Sequence, residues 1–273
     1  MTTLAKFLFL QPHPDDLELN CGHVMHYLAT SKKGHEIVVA SLTKGEFGLP
    51  GPQYDKFKGA FLAKVREREL QNALAIHGIS PDHLTFFGYV DGLVPFNRKI
   101  VDEVASYVRR ERPDVIFAPE PRYTYYPHID HFNEGRIVFH AIYTGMLGYT
   151  PKLYFYSSLS PNFYFGFDDA GMALTNSLLA CHKTQFWLLN RIKLVFKPLA
   201  MVFGIHIRWK YAEPFRQVFF MPQNAPKNKP GKIARLMLRF FWRHLSWFFA
   251  KYPEKELQRV REAQKANKLN TIT

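Results

Sequence analysis

The sequence predicts an α/β fold: a Rossmann-like, doubly wound, mostly parallel sheet with a basic amphipathic C-terminal extension. Three observations carry this. Short β-branched and aromatic runs alternate with helical patterns from the start of the chain, the rhythm of βαβ units. The 273 residues suit one large α/β domain, or one domain with an appendage. Beyond Asp169 the composition changes: from Gly171 to Pro253 the single acidic residue is Glu213, while Lys and Arg recur.

Taken in order, Lys6 to Leu10 reads as a buried strand that runs into Gln11-Pro12-His13-Pro14-Asp15-Asp16. Leu17 to Ser31 reads as a helix stopped near Lys33-Gly34, and Glu36 to Ser41 as a β-branched strand. Thr43 to Tyr54 is a polar loop rich in Gly, which suits a rim or lid over a site. Ala60 to His77 is helical, with Gly78 as its stop. At about 100° per residue, Arg66 and Glu69 fall on the same stripe as Leu62, Val65, Ala73 and Ile76. Either the two charges form an ion pair at the end of that stripe, or Arg66 turns inward for a specific task.

Leu84 to Gly88 is a short strand followed by Tyr89-Val90-Asp91-Gly92, and Lys99 to Arg110 is an amphipathic helix ended by Pro113. Val115 to Ala118 is a second buried strand, leading to His128-Ile129-Asp130-His131. Glu134 to Tyr149 reads as a helix and Leu153 to Tyr156 as a strand. No Gly-x-Gly-x-x-Gly follows the first strand, so a nicotinamide cofactor is not implied.

The two polar clusters carry the chemistry. Open α/β sheets bind ligands beyond the carboxyl ends of their strands, and both clusters follow strands. Together they supply three histidines and three aspartates, enough for a metal, a base and an acid. Two adjacent aspartates repel, which favours one on a metal and one free to take a proton. An aspartate there would equally cap the following helix.

Pro12-His13-Pro14-Asp15-Asp16 with His128-x-Asp130-His131 resembles the LmbE-like (PIG-L) family of zinc-dependent N-acetylglucosaminyl deacetylases. Thr43-x-Gly45-Glu46-x-Gly48, Arg66-x-x-Glu69, Arg112-Pro113-Asp114-Val115-Ile116, His182-Lys183-Thr184-Gln185 and Ala212-Glu213-x-Phe215-Arg216 are similar to family segments in the same order. Many members have two glycines where this chain has Gly22-His23. The resemblance implies one Zn2+ held by His13, Asp16 and His131, with a position left open for water. It implies Asp15 as general base, and His128, if protonated, as stabiliser of the oxyanion. Asp130 would hold His128 and raise its pKa. It points to Asp91 as a contact for sugar hydroxyls, although an Asp-Gly turn explains that residue equally. Arg66 would reach substrate, as would Glu46 unless it is a solvated loop charge. His182 would be structural or support the site.

Net charge is +13, which calls for an anionic partner. Phe186 to Trp209 is apolar but interrupted by Arg191, Lys193, Lys197 and Pro198. In a helix from Lys232 to Ala250, Lys232, Arg235, Arg239 and Arg243 line one face; Met237, Phe241, Leu245 and Phe248 line the other. Trp242 and Trp247 flank the faces. That pattern suits an interfacial helix on an anionic membrane, the alternative being a helix packed on the domain. No nucleic-acid module is recognisable. The expected division is a deacetylase domain at 1–222, with a basic apolar insertion about 186–209, and an extension at 223–273. The first apolar run is too short for a secretory signal, and no apolar stretch reaches the roughly 20 residues of a spanning helix. With two cysteines outside any Cys-x-x-Cys spacing, a cytoplasmic setting is expected, peripheral on the inner face of the membrane. The functional expectation is an N-deacetylase acting on an N-acetylglucosaminyl conjugate, lipid-linked or soluble. A non-catalytic membrane-surface binding protein on the same scaffold is the competing class.

Overall fold

The computed structural model describes residues 4–49, 51–220, 231–244, 258–262 and 265. The strands are β1 (Lys6–Gln11), β2 (Glu36–Thr43), β3 (Leu84–Tyr89), β4 (Val115–Pro119), β5 (Lys152–Tyr156), β6 (Phe163–Phe167) and β7 (Tyr211–Val218). The helices are α1 (Asp16–Asn20), α2 (Gly22–Ala29), α3 (Ala60–Ile76), α4 (Arg98–Glu111), α5 (Ile129–Tyr143), α6 (Asp169–Cys181), α7 (Phe186–Ile205) and α8 (Lys232–His244). They build a mixed α/β fold on one seven-stranded sheet of order β3-β2-β1-β4-β5-β7-β6. The first five positions are parallel, and β7 and β6 add an antiparallel edge.

Period-two alternation sends neighbouring residues of one strand to opposite faces. Leu8, Leu10, Val38 and Ala40 pack with Ile100 and Val104 of α4 and Ile137 and Val138 of α5. Phe9, Ile37, Val39 and Phe117 pack with Leu17, Val24 and Met25 of α1 and α2 and Leu70 and Leu74 of α3. The sheet is therefore covered on both sides, as its parallel strands require. Strand order reverses at β1, which opens a crevice at the carboxyl ends of β1 and β4.

Three local departures from the expected pattern have physical reasons. The first helix breaks at Cys21 because Glu213, on β7, accepts the N–H groups of His23 and Val24 at 2.8 and 3.0 Å, capping a new helix start. The helix expected from Glu134 starts instead at Ile129, since His128 Nδ1 accepts the N–H of Asp130 at 3.2 Å. The third departure is the β6–α6–α7–β7 excursion, whose strands pair antiparallel and whose α7 packs on β7 and β6.

Of the expected helix at 232–250, Lys232–His244 is helical. The side chains of Phe241, Trp242 and Arg243, all of residues 245–250 and the boundary near 222 lie outside the described residues. Residues 258–262 pack back on the loop before α3, where Arg259 Nε reaches Asp55 Oδ2 at 2.5 Å and Val260 is buried. Among the described residues no helix is long and apolar enough to cross a membrane.

Candidate metal centre

Pro12 and Pro14 end β1 and turn the chain across the crevice. Thr43, at the end of β2, donates from N and Oγ1 to Pro12 O at 3.0 and 2.8 Å. Asp16 Oδ2 then accepts the His13 N–H at 3.0 Å, and Gln11 Oε1 accepts the Leu17 N–H at 3.3 Å. Asp15 lies between them at φ 132°, a backbone region that costs a non-glycine residue about 1–3 kcal/mol. From the other strand, β4 delivers His128 as the cap of α5 and Asp130 and His131 in its first turn.

His13, Asp16 and His131 converge, with one ligand atom from each within 4.8 Å of the others. His13 Nδ1 is 3.3 Å from Asp16 Oδ2, and His131 Nε2 is 3.1 Å from Asp16 Oδ1. His131 is 1% exposed; its Nε2 faces the Asp16 carboxylate, while its Nδ1 has no hydrogen-bond partner among the described residues. Two imidazoles converging on one carboxylate in a buried pocket fit a divalent ion of the zinc type. His13, Asp91, His128 and Asp130 form a second convergent group sharing His13. His13 Nε2 lies 3.0 Å from Asp130 Oδ2 and 3.1 Å from Asp91 Oδ1. Two carboxylates on Nε2 leave Nδ1 directed to the Asp16 side, the arrangement that orients a metal-binding histidine.

The remaining expected residues have internal partners. Asp130, fully buried, also accepts the N–H groups of Gly92 and Val94 at 2.7 and 3.0 Å, so its carboxylate orients His13 and the loop at 91–94. His128 Nδ1 accepts the Asp130 N–H at 3.2 Å, and the Asp130 charge pushes the His128 pKa up against burial, which lowers it overall. Asp91 Oδ2 accepts the Phe47 N–H at 3.0 Å, while Glu46 Oε1 accepts the Asp91 N–H at 3.0 Å. The Gly-rich loop and the Asp91 loop thereby clasp each other. Arg66 does turn inward: it donates to Gly45 O at 2.9 Å, Pro14 O at 2.6 Å and Asp15 Oδ1 at 3.0 Å. Glu69 accepts from the Thr184 N–H and hydroxyl at 2.8 and 2.6 Å.

Electrostatics separate the two aspartates. Burial raises the Asp15 pKa to about 6, with Arg66 opposing and Asp16 reinforcing the rise. Asp16 is also buried, but His131 and His13 hold its carboxyl well below the usual range. Burial, aided by His13, lowers His128 to about 4, so the ring is neutral near pH 7. For His13 burial works against the charge, yet Asp91, Asp130 and Asp16 raise its pKa well above the ordinary value.

Several contributors were not singled out from sequence. Tyr126 sets its ring edge-on to His131, centroids 4.6 Å apart. Glu134 is 1% exposed, and burial pushes its carboxyl well above the usual range. Glu120, fully buried, takes Arg216 in a bidentate pair of 2.5 and 2.8 Å. Only Glu213 carried a signal, as the lone acid of a basic third.

Residues 8–142 match the PIG-L family, described as GlcNAc-PI de-N-acetylase. A diacetylchitobiose deacetylase of Thermococcus kodakarensis is 28% identical over 233 residues, covering 79% of this chain and 84% of that protein. Among solved structures, the N,N'-diacetylchitobiose deacetylase of Pyrococcus horikoshii, complexed with an inhibitor, aligns with a TM-score of 0.72 at 22% identity, covering 82% of this chain and 87% of that one. The 4-carboxy-2-hydroxymuconate hydratase GalB of Pseudomonas putida KT2440 aligns with a TM-score of 0.63 at 17% identity, covering 79% and 97%. A hydratase on the same fold means that the reaction must be argued from the site.

Proposed function

This chain carries a domain of the PIG-L/LmbE-like family, and from that premise we propose that it is a zinc-dependent hydrolase removing acetyl from an N-acetylated amino sugar. The observation that carries the proposal is the convergence of His13, Asp16 and His131 beside an Asp15 carboxyl tuned to about 6.

His13, through Nδ1, with Asp16 and His131 would hold the ion. When bound, the ion supplies Lewis-acid polarisation of the amide carbonyl and eases deprotonation of water. Asp15 accepts the proton of the attacking water, held in place by Arg66 at 3.0 Å. Its raised pKa also lets it return that proton to the leaving amine, so water and amide become acetate and amine. His128 serves as a neutral donor: with Nδ1 accepting from Asp130 N–H, the ring proton sits on Nε2, where it can bond the developing oxyanion. Arg66, Asp91, Glu46 and Asp130 act as positioning residues, and whether Asp91 or Glu46 also meets sugar hydroxyls is part of the proposal.

A lipid-linked substrate, met at the cytoplasmic face of a membrane, is the finer reading. Its support is α8, where Ile233, Leu236 and Met237 are exposed beside exposed Lys232, Arg235 and Arg239. Residues 1–222 would hold the chemistry and 223–273 the membrane contact. The deacetylase named among the relatives favours a second reading, a soluble saccharide substrate. The deciding experiment measures zinc per chain and amine release from N,N'-diacetylchitobiose and a lipid-linked N-acetylglucosaminide, with and without anionic vesicles. Zinc near one per chain with vesicle-enhanced release from the lipid-linked sugar is expected. Release from the soluble sugar alone overturns the membrane reading. Zinc-free protein without turnover overturns the hydrolase and favours a non-catalytic binding protein.

A further inference from the structure

We propose that the cavity between α6, α7 and β7 is a binding site for the acyl chain of an anionic membrane lipid. The cavity has a volume of about 270 Å³ and lies apart from the metal ligands. Its wall is mainly Leu19, Phe167, Met172, Leu179, Leu199 and Phe203.

The buried polar side chains on that wall, Glu213, His23 and Asn20, spend their hydrogen bonds on the protein, whereas Asn176 and Lys197 are exposed. Glu213 accepts from His23 N, His23 Nδ1 and Val24 N. His23 Nε2 lies 2.9 Å from Gly171 O and 3.0 Å from Thr175 Oγ1. Asn20 donates to Asp16 O at 2.7 Å and accepts from the hydroxyls of Tyr125 and Ser157 at 3.2 and 2.6 Å. A sugar or other polar ligand would find these partners already taken, whereas a hydrocarbon needs none.

The mouth argues for the sign of the headgroup. Lys197 is exposed there, and beside it Leu194 is 77% exposed, extending the apolar surface outward. The sole acid from Gly171 to Pro253, Glu213, is consumed by α2. A chain entering past α7 therefore brings an anionic head to Lys197, where it competes with the exposed carboxylate of Asp169. None of His13, Asp16 and His131 lines the cavity, so chain binding is independent of the deacetylase reading.

The test uses the full chain, zinc-loaded and chelator-stripped, with dansylated undecanoic acid as the fluorescent probe below its critical micelle concentration. Unlabelled fatty acids of about eight to sixteen carbons displace it. Affinity should rise by up to about fourfold per methylene, then level off once the chain outgrows the cavity. Ala200→Trp, which fills the wall, should weaken binding about tenfold. Leu179→Ala, which enlarges the cavity, should move the plateau to longer chains, an opposite sign that a mere folding defect does not produce. Alkylammonium ions of equal length should bind more weakly, and zinc removal should change nothing. Absence of saturable binding, affinity that climbs without a plateau, or variants indistinguishable from the parent chain would each overturn the proposal.

Discussion

The parallel half of the sheet and the basic C-terminal third invert each other's surface chemistry. In the parallel half, ionisable groups go inside: Asp130 and Glu120 are fully buried, and Arg66, His13, Asp16 and His131 nearly so. In the C-terminal third, apolar groups go outside: Leu194, Ile205, Ile233 and Leu236 are between 68% and 77% exposed. Each arrangement is costly unless a partner compensates it. Buried charge is compensated by neighbouring charge, hydrogen bonds and, on our reading, a metal. Exposed apolar surface is compensated when something covers it, which marks the second region as a contact surface. On our reading, one region is organised for chemistry and the other for encounter.

The comparison breaks most sharply at Asp15. Asp15→Asn should lower kcat by about 10²–10⁴-fold while zinc content stays near that of the parent. Full turnover would remove Asp15 from the base role. The same carboxyl gives a pH signature: with its pKa raised to about 6 in the metal-free chain, and lower beside a cation, activity should fall as pH drops through 6 or below. An acid limb above pH 6, in excess zinc, contradicts the assignment.

Next in size is Arg66→Met. It retains bulk but strips hydrogen bonds from Gly45 O, Pro14 O and Asp15. Breaking a pair this buried should cost about 3–5 kcal/mol of stability, read by urea unfolding. A mild effect would mean that the two loops hold their shape without it.

Smaller and pH-selective is His77, 1% exposed, whose pKa burial lowers from 6.5 to about 4. The unfolded chain protonates this histidine near 6.5 and the folded chain only near 4, so its contribution is present above 6.5. It is lost as pH falls through that window, up to about 3 kcal/mol. Unfolding curves at several pH values should show this slope, and His77→Leu should flatten it. The smallest effect belongs to the encounter region. Arg235→Glu should weaken adsorption to anionic vesicles by about 1–2 kcal/mol and leave turnover of a soluble substrate unchanged. Loss of soluble turnover would instead tie α8 to the core.

Legibility follows the same division. The five parallel strands were readable because each is a short apolar run between turn signals, and burial on both faces demands such runs. The two clusters at strand ends were readable only together: either aspartate-bearing turn could be a plain helix cap, but their union supplies a metal site, a base and an acid. The β6–α6–α7–β7 excursion was not: its strands Phe163–Phe167 and Tyr211–Val218 mix aromatic, small and charged residues, and their pairing is antiparallel and non-local. The break at Cys21 was illegible for a related reason, since the group that caps α2 lies 190 residues away in the chain.

Sequence alone determined the covered parallel sheet, the two groups of histidines and aspartates, and the concentration of positive charge in the last third, because these depend on local pattern and composition. Tertiary structure decided which carboxylate serves which ring. Asp130 meets His13 across 117 residues of chain, and Arg66 reaches Asp15 across 51. Distance in sequence carries no information about such partners. They are set by the crossover of β1 and β4 and by the loops that cross the crevice, where a buried charge must find its counterpart in space.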